Sequence, residues 1–328
     1  MNILISGGAG YIGSILSEEL VRRGYKVTIL DTFFFGEESI KSIRDQVKIV
    51  KGDIRAVSAD VFDGVDAVIN MAAISNDPAS ELKHGLTESI NHFGRSRTVE
   101  LSKKKGVKKH ILASSCSIYG FTDGISDETS KVNPLTVYAK ANEALEKDAF
   151  ALADRNFCVT SLRQATVYGL SPRMRFDLMV NTMVLQIFRD GKITLLGDGG
   201  EYRPFVHVKD TAMAFVNTLE SDDDSVNGEI FNVGEVNMRL DELTHRVTDA
   251  LKLKYRCDFG TMIDKRNYRV SFEKIKKIGW KPEYNIDEGA REVWRALKNR
   301  STNPDDPRTI TVKWYKNLIE QNEVKVDG

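Results

Sequence analysis

Seven residues near the N-terminus, Gly7-Gly8-Ala9-Gly10-Tyr11-Ile12-Gly13, constrain this chain more than any other feature. They follow a short apolar run, Asn2–Ser6, and lead into Tyr11–Arg23, where Ile12, Ile15, Leu16, Leu20 and Val21 recur at helical spacing. Gly24 stands where a helix-ending glycine belongs. A strand that enters a helix through glycines can bring backbone against a diphosphate. Gly7 permits the tight turn, Gly10 admits the phosphate, and Gly13 lets helix pack closely on strand. The helix start at Tyr11–Ile12 adds unpaired N–H groups and the positive end of a helix dipole. The next apolar run, Lys26–Leu30, ends on Asp31, 18 residues after Gly13. A carboxylate there accepts hydrogen bonds from an adenosine ribose and repels a 2′-phosphate, which favours NAD over NADP.

The same alternation continues. Val47–Val50, Val65–Met71, His110–Ser114 and Phe157–Leu162 read as strands, with helices over roughly 82–105 and 137–153 between them. Strands separated by helices of this length imply right-handed crossovers, hence an α/β fold with a Rossmann-type doubly wound parallel sheet. The second half is less regular: helices are expected near 177–189, 210–219 and 240–250, and a strand near 228–233. The 328 residues carry 47 Lys+Arg and 47 Asp+Glu, and a zero balance argues against a phosphate-tracking nucleic-acid surface. No apolar run approaches the roughly 20 residues that span a bilayer, and no basic-then-apolar leader precedes Ile3. Cys116, Cys158 and Cys257 are odd in number and scattered, which fits a reducing cytoplasm without disulfides. With five His and no ligand spacing, a metal site is not expected.

Further motifs follow in order. These are Gly52-Asp53-Ile54, Asn70-Met71-Ala72-Ala73, Asn91-His92-Phe93-Gly94, Ser114-Ser115-Cys116-Ser117-Ile118-Tyr119-Gly120, Pro134-Leu135-Thr136-Val137-Tyr138 and Arg203-Pro204-Phe205-Val206-His207-Val208-Lys209-Asp210. Together with the glycine loop they resemble the extended short-chain dehydrogenase/reductases, in particular the nucleotide-sugar epimerase/dehydratase family, from Met1 to about Tyr284. The resemblance implies a cofactor domain over 1–170, to which 205–234 returns, and a smaller interleaved substrate domain over 171–204 and 235–328. It implies that Asp53, Ile54, Met71, Ala72, Ala73 and Asn91 join Gly7, Gly10, Tyr11, Ile12, Gly13 and Asp31 around NAD. It further implies a homodimer through the helices 82–105 and 137–153.

By the same resemblance Tyr138 is the base and Ser115 its partner in a reversible hydride transfer at a sugar carbon, C4 being the expected one. The family's lysine, four residues after the tyrosine, is replaced here by Asn142. Lys140 lies about 200° around the helix and is read as a solvated side chain. Asn142 can hydrogen-bond the nicotinamide ribose but supplies no charge, and a cation at ~4–6 Å lowers a Tyr pKa by roughly one to three units. The enzyme is then slow or alkaline, or another group substitutes, or hydride transfer is no longer the task. The first two are favoured because Ser115 and Tyr138 both remain.

For the substrate, the resemblance carries over Arg203 and, more loosely, Arg266 as diphosphate contacts. Arg173 and Arg175 are further candidates on residue type, because guanidinium suits phosphate. Ser75 and Asn76 are placed to face the sugar, and Thr166 stands where the family often has a substrate-contacting Asn. The Asp-Glu pair of 4,6-dehydratases is absent, Cys116-Ser117 taking its place, which favours epimerisation, dehydrogenation or keto-reduction. The alternatives are a reductase of another carbonyl substrate, or an NAD-binding sensor or scaffold with little turnover. Cys116 is read as a buried filler and His207 as a structural histidine.

Overall fold

Alternation along the first strand shows how the molecule is layered. Ile3 and Ile5 face one side of a sheet and Leu4 the other, and all three are inaccessible to solvent. The computed structural model describes residues 1–195, 197–254, 256–260 and 266–325. Its main sheet is parallel and has seven strands, in the spatial order Ile230–Val233, Cys158–Gln164, Lys109–Ser115, Ala67–Asn70, Asn2–Ser6, Lys26–Asp31 and Lys48–Lys51. Helices Gly13–Arg22 and Val208–Glu220 cover the face of Ile3 and Ile5, through Leu16, Leu20, Phe215 and Leu219. Helices Arg95–Lys104 and Val137–Leu152 cover the face of Leu4, through Val99, Leu101, Leu145 and Ala149. This is the doubly wound α/β sheet that the sequence implies.

Strand order reverses at Asn2–Ser6, whose neighbours are Lys26–Asp31 on one side and Ala67–Asn70 on the other. Crevices at such a reversal, outside the carboxyl ends of the strands, are where open α/β sheets bind ligands. A second, smaller layer packs helices Met179–Asp190, Leu240–Leu251 and Ile286–Lys298 around Val180, Val184, Leu243, Val247 and Val293. Its strands are short. Thr166–Tyr168 and Val236–Arg239 flank Tyr202–His207, and Phe121–Ser126 pairs with Asn267–Val270.

The helix expected over 82–105 is subdivided. After Asp77–Ser80, with Pro78 in its first turn, the chain is extended at Lys83 and resumes at His84–Glu88. A wide π turn, Ser89–Gly94, then leads into Arg95–Lys104. Such turns insert an extra residue and re-aim the side chains that follow. The terminal helix Thr311–Glu320 falls in the span assigned by sequence to the substrate domain, yet it packs on the main layer. Tyr315 and Leu318, three apart on one face, are buried in the cluster that holds Leu30, Ile54 and Phe62.

Candidate active site

A cleft of about 400 Å³ opens at the strand-order reversal. Gly7, Gly10, Tyr11, Ile12, Gly13, Asp31, Asp53, Ile54, Met71, Ala72 and Ala73 line it. Ser75, Asn76, Ser115, Tyr138, Thr166, Arg175, Arg203 and Arg266 line it too, and Arg173 also reaches the cleft. Of the residues assigned from sequence to cofactor, catalysis or substrate, Asn91 and Asn142 are the two that do not line it. A wider groove of about 1070 Å³, between the first helix and the second layer, contains neither Ser115 nor Tyr138.

The glycine loop is a cradle that side chains would fill. A Cβ on Gly13 would lie 2.1 Å from Gly7 O, and Gly7, at φ +79°, sits with its missing Cβ 2.9 Å from Ala72 N and Cα. Asp31 braces the loop, since Oδ2 accepts the Ala9 N–H at 3.0 Å and Oδ1 the Phe33 N–H at 2.9 Å. Burial pushes its carboxyl up, against those two bonds. Asp53 is partly desolvated too, but the Arg55 guanidinium, 2.6 Å away, holds it below the usual range. Ser114 Oγ, Ser117 Oγ and Gln164 Oε1 are buried polar atoms lining the cleft with no hydrogen-bond partner among the described residues. Backbone room at the loop and orphaned polar atoms at the strand ends together fit a dinucleotide and a polar substrate.

Asn91 clamps the loop after Asn70 from behind. Its Oδ1 accepts the Ile74 N–H at 2.8 Å and its Nδ2 donates to Ile74 O at 2.9 Å. Ser115 ends the fifth strand and caps the turn that follows, with Oγ accepting the Ser117 N–H at 3.1 Å. Tyr138 is in the first turn of Val137–Leu152, a helix started by Thr136, whose hydroxyl accepts the Ala139 N–H. Burial raises the Tyr138 phenol above its ordinary pKa. The Arg95 charge pulls it down, Asp77 raises it, and the Asn142 and Ser115 side chains hydrogen-bond it down. Lys140 points to solvent.

On the substrate side, Arg266 pairs with Asp77 Oδ2, and Thr136 donates to the other Asp77 oxygen at 2.6 Å. Arg203 is buried with its guanidinium 5.5 Å over the Tyr268 ring. Arg175 donates to Ser75 Oγ and pairs with Asp177, both at 3.0 Å, while Asn76 donates to the same Asp177 carboxylate at 2.8 Å. Arg173, although it too lines the cleft, makes none of these contacts. It sits 3.7 Å over the Phe35 ring, near Asp31 and Tyr315, and burial with the Arg175 charge takes it down to about 9. Cys116 is buried with Sγ against Arg163 O, and His207 is held by Glu292 and stacked on Tyr284.

Sequence reasoning passed over Asp77, Asp177, Tyr315 and, above all, Arg95. The signal for Arg95 was present: it stands four residues after Asn91 and so shares that residue's face.

Comparison with known proteins settles the relationship. The profile of the NAD dependent epimerase/dehydratase family matches residues 3–234. This chain belongs to that family. It is 29% identical over 316 residues to a putative UDP-glucose 4-epimerase of Methanocaldococcus jannaschii, covering 91% of this chain and 99% of that one. It is 30% identical over 325 residues to a UDP-N-acetyl-alpha-D-glucosaminuronate decarboxylase of Bacillus cytotoxicus, covering 90% and 98%. Its fold matches that of a UDP-glucuronic acid 4-epimerase from Bacillus cereus with UDP-glucuronic acid and NAD, at a TM-score of 0.83 and 22% identity, covering 92% and 100%. The family member described here is therefore an NAD-dependent enzyme of the nucleotide-sugar epimerase/dehydratase type. Among the described residues no helix is long and apolar enough to cross a membrane, and no cluster of His, Cys, Asp or Glu could hold a metal ion.

Proposed function

We propose that this family member is a nucleotide-sugar 4-epimerase or 4-dehydrogenase that works by reversible hydride transfer at the sugar C4. The observation that carries the reading is that Ser115 and Tyr138, from a strand end and a helix start 23 positions apart, line one cleft with the glycine loop. NAD, when bound, supplies the hydride acceptor. As phenolate, Tyr138 takes the proton from the sugar hydroxyl and returns it in the reverse direction. Ser115 Oγ donates to the same sugar oxygen and keeps it oriented. Arg203, Arg266 and Arg175 hold the diphosphate, and Arg266 exchanges its Asp77 partner for the ligand. Asn76, Ser75 and Thr166 bound the sugar. Neither Cys116 nor Ser117 can act as the acid of an elimination, so dehydration is not proposed. The working molecule is proposed to be a cytoplasmic homodimer.

The test is to screen UDP-, GDP- and dTDP-sugars, uronates included, for NADH absorbance and for a C4-inverted product. Tyr138→Phe should lower kcat by at least about a hundredfold with the fold intact. Arg203→Ala and Arg266→Ala should chiefly raise KM. A full panel without turnover, in a protein that still binds NAD, would overturn the proposal and favour the sensor.

A further inference from the structure

Arg95 is buried, yet it is not spent on an ion pair. Nη1 donates to Asn142 Oδ1 at 3.0 Å, and Nη2 to Asn70 O at 2.9 Å and Ala113 O at 2.6 Å. Nε reaches Asn70 Oδ1 at 3.4 Å. All four acceptors are neutral. A cation is ordinarily buried only beside a counter-charge, because desolvation otherwise costs several kcal/mol. The neutral acceptors hold it in place, and the charges that favour its protonated form are those of Tyr138 and Glu146. Asn70 also donates to Thr98 Oγ1 at 2.5 Å and meets His110 Nε2 at 3.1 Å, while His110 Nδ1 meets Ser102 Oγ at 3.0 Å. Burial and then the Arg95 charge bring His110 down to about 3, so it is neutral at physiological pH. Burial lowers Arg95 itself only to about 10, which leaves it charged.

A group that gains from this charge, the Tyr138 phenol, lies across Asn142. Asn142 Nδ2 donates to Tyr138 O at 3.0 Å, so Asn142 joins the guanidinium to the turn that bears the tyrosine. Nothing on the tyrosine's own helix can do the same, since Asn142 is neutral and Lys140 is exposed. We infer that Arg95, reaching from the neighbouring helix through Asn142, is the positioning residue whose charge makes the Tyr138 phenolate accessible in the hydride-transfer site. The inference rests on the proposed role of Tyr138 but not on the identity of the sugar. Other charges facing Tyr138 are accounted for. Asp77 opposes ionisation and is paired with Arg266, while Arg175 favours it and is paired with Asp177. Only Arg95, of these three cations, has no carboxylate in contact. The opposing burial makes its contribution necessary: Tyr138 is raised overall before a ligand binds.

The experiment measures Tyr138 directly, without turnover. In NAD-saturated protein carrying ¹³Cζ-tyrosine, with the Tyr138 resonance assigned by Tyr138→Phe, the ionisation midpoint is followed from about pH 7 to about pH 11. Arg95→Gln, which keeps a hydrogen-bonding head without charge, should raise the midpoint by about one unit or more, equivalent to a tenfold or greater loss of phenolate at neutral pH. Arg95→Lys should leave it within about half a unit, and Arg95→Gln combined with Asn142→Lys should bring it back. Arg95→Met carries the same test if the Gln variant does not fold. A folded charge-free variant with an unmoved midpoint would overturn the inference, as would a Tyr138 in the parent protein still neutral at the top of the range. Because no sugar nucleotide is involved, a silent substrate panel would sink the proposed function and leave this result standing.

Discussion

At position 142 a side chain that looks like a loss in sequence is a junction in space. Asn142 is solvent-inaccessible and bonded on one side to Arg95 Nη1 and on the other to Tyr138 O. A lysine placed there would bring a second cation against a buried guanidinium that no carboxylate contacts. Asn142→Lys alone should therefore destabilise the fold by about 3 to 5 kcal/mol, the usual scale for an uncompensated buried charge. The urea midpoint should fall with little change in slope, and adding Arg95→Gln should recover most of the loss. Equal stability of the single and double variants would show that the two sites are uncoupled. A lysine at 142 should shift the pH–rate profile toward acid, on this geometry, only in the Arg95→Gln background. Ser115 and Tyr138 were legible in sequence because the short motifs that carry them, Ser114–Gly120 and Pro134–Tyr138, resemble those of the family. Arg95 was legible only as a neighbour of Asn91 on one helix face; its role was not, because that depends on how one helix crosses another.

Elements were legible in proportion to how local their causes are. The glycine loop, the strand before it and Asp31 after the next strand lie within one βαβ unit, and the structure assembles them as their order implies. The strands of the second layer run to six residues at most and pair at long range, Phe121–Ser126 with Asn267–Val270 for example, so no period within them announces the partner. The subdivided helix before Arg95 shows the same limit. Its apolar spacing reads as one helix, while the π turn that re-aims it answers to the packing of Asn91 under Ile74. The loop makes the sharpest prediction at this scale. In Gly13→Ala the added Cβ meets the Gly7 carbonyl, a backbone atom that can retreat only by opening the turn that the pyrophosphate needs. NAD affinity measured by calorimetry should fall at least tenfold, about 1.4 kcal/mol, while the helix itself gains propensity from alanine. Unchanged affinity would mean that the diphosphate lies elsewhere.

For the whole molecule, the open question is what covers the helices Arg95–Lys104 and Val137–Leu152 on the side away from the sheet. Just before Arg95, Phe93 is 59% exposed, with the His92 ring stacked on it at 4.5 Å, and His92 Nε2 meets Asp148 of the neighbouring helix at 2.7 Å. An aromatic side chain held out by a neighbouring ring, on the helix pair that the family resemblance assigns to dimerisation, suits a two-fold contact. There each Phe93 would lie near its counterpart and the helix pairs would form a four-helix seam. The same elements carry Arg95 and Tyr138 on their inner faces, so a dimer would stiffen the crossing that sets their separation. Phe93→Asp places a like charge on both sides of that seam, and light scattering should then report a monomer where the parent protein gives a dimer. The monomer should keep NAD binding, since the glycine loop is built on the first strand and first helix and not on this pair, but its Tyr138 midpoint should broaden or rise. A parent protein that is already monomeric, or a Phe93→Asp variant that remains dimeric, would place the contact on another face.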